Sequence, residues 1–138
     1  MRQAIADGIP LAPLHNPHNL AAIRALVARA RELPQVAAFD TAFHATNPDV
    51  ALRYALPPEE EAKGIRRYGF HGISYASLTK RLPGLLGGPL PGRVLACHLG
   101  NGVSLTAIRD GRSVANTMGY SPLDGLTMGT RTGAIDGN

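Results

Sequence analysis

The residues with the clearest chemical potential lie in the run His98-Leu99-Gly100-Asn101-Gly102-Val103-Ser104. Two glycines flanking Asn at a tight turn let backbone N–H groups face an anion with no Cβ in the way. Ser104 adds a hydroxyl, and His98 adds an imidazole. The run is neither a P-loop nor a dinucleotide fingerprint, since both of those enter a helix at longer glycine spacings. An ordinary Asn-Gly hairpin is the alternative reading. Asp40 could align an acceptor or take a proton, or could cap the Ala42 or Phe43 amides. His71 in Phe70-His71-Gly72 could stabilise developing negative charge, or be a hydrogen-bonded structural imidazole. Arg131, between Gly129 and Gly133, could grip a phosphate or carboxylate bidentately, or sit on a surface loop. His15 precedes a helix and could simply dock its end. His15 and His18 straddle the Pro17 helix start, which disfavours a metal pair, and a Cys97 thiolate is disfavoured in a buried strand.

These residues need elements to position them. Asn16 as N-cap, Pro17 at the first helical position and the spacing of Leu20, Ile23, Leu26, Val27 and Ala30 predict a helix that Pro34 stops. Gln35–Phe39 reads as a buried strand delivering Asp40 at its end. Thr41–His44 could open a short helix, and Glu59–Glu61 suggest the first turn of another. Residues 66–72 read as a loop or short strand. Ser74 caps an expected helix to about Leu82, followed by a Gly/Pro connector over 83–92. Val94–Cys97, Val103–Ile108 and Ser113–Ala115, joined at Gly100–Gly102 and Asp110-Gly111, predict a three-stranded antiparallel meander. The Asn-Gly pair is a strong tight-hairpin signal because it tolerates positive φ at both turn positions. The order implies a mixed α/β arrangement.

Composition narrows the function classes. The 138 residues are 44% hydrophobic and 17% charged, which argues against a disordered tail. Gly and Pro make up about a fifth, against about an eighth in average usage, and twelve of the 16 glycines follow Leu82. The net charge of +4 comes from scattered residues, the densest basic runs being Arg66-Arg67 and Lys80-Arg81. That pattern disfavours nucleic acid. Cys97 is alone, which excludes an intrachain disulfide and fits a reducing compartment. With no apolar leader and no membrane-length stretch, a soluble cytoplasmic chain is expected.

Five runs, in order, resemble the acetate kinase family: Pro10-Leu11-Ala12-Pro13-Leu14-His15-Asn16-Pro17, Phe39-Asp40-Thr41-Ala42-Phe43-His44, Tyr68-Gly69-Phe70-His71-Gly72, Cys97-His98-Leu99-Gly100-Asn101-Gly102 and Met128-Gly129-Thr130-Arg131-Thr132-Gly133. The resemblance spans about Ile9 to Asp136. It implies the two-domain α/β fold shared with sugar kinases, actin and Hsp70 ATPases, truncated at both ends. Residues 1–92 would then end the first domain, and 93–138 would begin the second with its phosphate-loop hairpin. It further implies direct in-line phosphoryl transfer between ATP and acetate, or another short-chain carboxylate, with Mg²⁺, in a protein that forms homodimers at full length. Asp40, His71, Arg131 and His15 match the family's catalytic positions. His98, Leu99, Gly100, Asn101 and Gly102 match its ATP-phosphate loop, and no metal ligand is expected in this segment. The family's N-terminal Asn-x-Gly-Ser motif, its acetate-pocket arginine and its C-terminal half are not matched, and Tyr75 stands where many relatives have a second His. A central piece, inactive alone, is therefore expected. The alternative is a non-catalytic remnant or interaction module retaining an anion-binding hairpin.

Overall fold

The computed structural model describes residues 1–137; Asn138, the last residue of the expected second-domain segment, lies outside the described residues. The chain divides into two compact units, 1–37 and 38–138.

In the first unit, α1 (Arg2–Asp7), a 3-10 turn (Ile9–Leu11) and α2 (Asn16–Arg29) follow in order. The expected cap shifts by one residue: His15 is the N-cap and makes no side-chain cap bond, while Asn16 begins the helix. The Asn16 amide instead donates to the Gly8 carbonyl at 2.9 Å, tying α2 back to the end of α1. Of the predicted apolar stripe, Leu20 is buried while Leu26 is half exposed.

The predicted strand over 35–39 is not formed. A strand exists only through a ladder with a neighbour, and the described strands form one sheet that does not include these residues. Val36 is 94% exposed.

The second unit is built around the predicted meander. β1 (Arg93–Leu99), β2 (Val103–Arg109) and β3 (Arg112–Asn116) pair antiparallel in that order. The two turns differ from each other. Positive φ occurs at Asp110 (50°) and Gly111 (76°), as a type I′ turn requires, and not at Gly100–Gly102. The link from Leu99 to Val103 is three residues long, closed by Gly100 N–H donating to the Gly102 carbonyl at 3.2 Å. A bulge between Ala107 and Ile108 sets the register so that Ile108 faces Ser113.

Period two splits the sheet into unlike faces. Val94, Ala96, Ser104, Thr106 and Ile108 face inward, and Tyr75, Phe43 and Leu78 pack against the apolar members. Leu95, Cys97 and Leu99 face outward and are exposed. Cys97 is thus not in a buried strand, as expected, but on an open face.

The inner face is covered by α5 (Gly72–Leu86) and a 3-10 helix (Ala42–Thr46); α3 (Asp49–Leu52) and α4 (Pro58–Ala62) are short connectors. α5 begins two residues before Ser74 and runs four beyond Leu82, through Pro83. Proline forfeits one ladder bond, and near the helix end Gly87, in the left-handed region, and Gly88 close the helix by donating to the Pro83 carbonyl. The segment 117–125 is pinned from behind. Tyr68 N–H donates to Gly119 O at 2.9 Å, Tyr120 N–H to the Tyr54 hydroxyl at 2.9 Å, and Arg67 pairs with Asp124 at 3.4 Å.

His44 is the polar centre of this packing, 1% exposed. A carbonyl only accepts, so the 2.8 Å contact with Phe70 O requires hydrogen on Nε2, and Nδ1 accepts from Ser113 Oγ at 2.8 Å. Burial holds its pKa below 6.5, opposed by the Phe70 bond and Asp40.

Two outcomes follow from this packing. A Cβ at residue 72 would run into the Asp40 carbonyl and meet Phe43 Cβ at 3.0 Å. Gly72→Ala should therefore cost about 1–3 kcal/mol by overpacking, read as a lowered urea midpoint. His44 and His71 both have depressed pKa values in the folded state, so the unfolded chain binds more protons below its value of about 6.5. Their contribution is complete above that pH and should be lost progressively as pH falls below about 6.5 toward the lowered folded-state values. Urea midpoints across that window check this, and His44→Gln should flatten the slope.

Candidate active site

The site is organised around the N-terminus of α5. His71 is its N-cap, in the left-handed conformation at φ 59°. Asp40 arrives from a turn and takes the orphan amides of that helix end. His71 N–H donates to Oδ2 at 2.6 Å, Ile73 N–H to Oδ1 at 3.3 Å, and Gly72 N–H to the Asp40 carbonyl at 2.8 Å. A carboxylate is favoured there by both hydrogen bonding and the helix dipole. Asp40 therefore caps α5 across 31 residues rather than the Ala42 or Phe43 amides.

This grip fixes the direction of the His71 ring. Nδ1 meets Ser104 Oγ at 2.8 Å, and Nε2 lies on the Gly102 side, where a Cβ would come within 3.0 Å of it. The His98 ring stacks on His71 with centroids 3.9 Å apart and planes 17° from parallel, and Ser74 Oγ meets His98 Nδ1 at 3.1 Å. The His71 pKa is lowered, chiefly by burial and then by His98; Arg131 lowers it further and Asp40 opposes them. The ring is neutral near pH 7.

Arg131 comes to the same place from the other side. A backbone pairing of Met128 with Arg131 folds the segment back on itself, and Arg131 Nη1 donates to the Pro122 carbonyl at 3.0 Å. A Cβ at residue 102 would stand 3.2 Å from Nη1. A Cβ at 102 would crowd both groups, so glycine there gives the imidazole and the guanidinium room to converge on the hairpin. Arg131 Nε is buried without a hydrogen-bond partner, and such an orphaned cationic donor suits an anion.

The structure brings together Asp40, His71, His98, Gly102 and Arg131. Leu99 points to the opposite sheet face and is 76% exposed, so only its backbone faces the turn. Gly100 N–H is spent inside the turn, and Asn101 is exposed at its tip. His15 belongs to the first unit, exposed at the start of α2. Ser104, read as a donor to an anion, is fully buried and engaged by His71 and Tyr75. Gly133 does not make room for the guanidinium; a Cβ there would meet Gly125 O at 2.5 Å, so it serves loop packing. Sequence reasoning missed Tyr75 and Pro122. Tyr75 lies four residues after His71, one helical turn on the same face, which is a readable signal. A backbone carbonyl such as that of Pro122 leaves none.

The model of the acetokinase family matches residues 1–138. The acetate kinase of Nostoc sp. is 54% identical over 99% of this chain and 34% of its own length. Among solved structures, a propionate kinase from Francisella tularensis superposes with a TM-score of 0.89 at 46% identity. The acetate kinase of Porphyromonas gingivalis gives 0.85 at 42%. Both matches cover 99% of this chain and 35% of the other. The chain thus spans about a third of the length of these relatives and shares, over that third, the α/β architecture of the actin-like ATPase fold. With His71 and Arg131 converging on the Gly102 hairpin and the family model matched end to end, the chain belongs to the acetokinase family.

Proposed function

We propose that this chain carries the phosphoryl-binding part of a kinase acting on acetate or another short-chain carboxylate, with ATP as donor, and that alone it does not turn over. The observation that carries the reading is the convergence of His71 Nε2 and Arg131 Nη1 on Gly102, beside an Arg131 Nε that lacks a partner. A loose, in-line transfer asks a protein for positioning and for positive charge on the equatorial phosphoryl oxygens rather than for covalent chemistry. Arg131 supplies a fixed charge. His71 adds a donor when protonated, and the His98–Gly102 turn offers backbone to the phosphates. Asp40 holds His71 in place and retains lone pairs with which to align an acceptor. His15 is carried in the proposal by family resemblance.

Among the described residues, no three of His, Cys, Asp and Glu gather where they could hold a metal ion. No helix among the described residues is long and apolar enough to cross a membrane. A boundary at 92/93 between the end of one family domain and the start of the next belongs to the same proposal, as do cytoplasmic location and a homodimer of the longer protein.

Two experiments test it. In an ATP titration of the 138-residue chain followed by backbone NMR, shifts should centre on Gly100–Gly102. Arg131→Ala should weaken binding roughly tenfold or more, the loss of one or two charge-assisted hydrogen bonds. A silent spectrum would favour the remnant reading. In a hydroxamate assay, the chain should form no acetyl phosphate from ATP and acetate; robust turnover abolished by Asp40→Asn would overturn the claim that it is inactive alone.

A further inference from the structure

Taken as two-centre hydrogen bonds, the contacts behind the His71 ring leave one consistent placement of protons. Tyr75 is 1% exposed and Ser104 is fully buried, so water contributes nothing there. Three contacts share these groups: the Tyr75 hydroxyl with Ser104 O at 2.8 Å, the Tyr75 hydroxyl with Ser104 Oγ at 2.6 Å, and His71 Nδ1 with Ser104 Oγ at 2.8 Å. Each contact needs one hydrogen, and two hydroxyls supply two. The carbonyl cannot donate, so the Tyr75 hydrogen goes to Ser104 O. The 2.6 Å contact then takes the Ser104 hydrogen. The third hydrogen must come from His71, on Nδ1.

We infer that Tyr75 and Ser104 are positioning residues that lock His71 in its Nδ1–H tautomer, so that Nε2, on the Gly102 side, donates only after the ring takes up a proton. The neighbouring His44 is held in the opposite tautomer, with hydrogen on Nε2 toward Phe70 O, so the preference belongs to each ring's own partners. The titratable and charged groups around His71 are the Asp40 carboxylate at its own amide, the stacked His98 of β1, Arg131 and the buried His44.

The consequence rests on the phosphoryl-binding reading above, whereas the tautomer does not. Near neutral pH an anion at Gly102 meets the Nε2 lone pair, and binding that uses Nε2 must bring in a proton. Affinity at this contact should fall by up to tenfold per pH unit above the His71 pKa.

Long-range 1H–15N NMR of the 15N-histidine-labelled 138-residue chain at pH 7.5 tests the assignment, with His71 identified by the signal lost in His71→Gln. The expected pattern is a protonated Nδ1 and a bare Nε2. Tyr75→Phe should release the Ser104 hydrogen toward Nδ1 and move the ring toward the Nε2–H form. A bare Nδ1 in the unsubstituted chain, or an unchanged tautomer in folded Tyr75→Phe, overturns the inference. The unsubstituted spectrum decides it even where the variant does not fold. Sulfate, whose charge is constant between pH 6 and 8, should shift the Gly102 amide more tightly at pH 6. An Nδ1–H ring with no sulfate response at either pH upholds the positioning role and overturns the anion reading instead.

Discussion

The grip of Asp40 on the first turn of α5 is the interaction on which the site depends. The free amides of a helix start must be paired or wetted, and here one aspartate takes three of the contacts through both carboxylate oxygens and its own carbonyl. The same bonds hold His71 in a left-handed conformation that a non-glycine residue rarely adopts unaided. The amides of that helix end are thereby occupied by the Asp40 carboxylate and carbonyl.

That arrangement explains why the inner face of the sheet is so polar. Ser104, Thr106 and Ser113 are all fully buried, which is costly unless each is paired. Each is: Ser104 with Tyr75 and His71, Thr106 with the Asn116 amide at 2.6 Å, and Ser113 with His44. The Ser104 and Ser113 bonds fix two imidazoles at defined angles, that of His71 beside Gly102. An apolar inner face would deprive both rings of their Nδ1 partners.

Legibility in the sequence followed the range of the interaction. The meander could be read because alternation and turn residues act over a few neighbours, and it formed with the predicted strands. The strand over 35–39 could not be judged, because its existence depends on a partner far away in the chain. The start of α5 was misplaced for the same reason: local signals favoured Ser74, while the cap that decides it comes from Asp40. The Asn-Gly turn shows the limit from the other side. Its residues permit positive φ, but a three-residue link between Leu99 and Val103 did not need it.

The sequence by itself determined the residue types, their order and the family they belong to, since motif identity needs no coordinates. It also determined the two faces of the sheet, through period two. Only the tertiary structure decided what each group is free to do. Asp40 is committed to helix amides, Ser104 is hidden from any ligand, Arg131 keeps one donor unpaired and His71 turns Nε2 toward Gly102. Those are matters of hydrogen-bond partnership between residues tens of positions apart, and hydrogen bonds are settled by distances that sequence spacing does not contain.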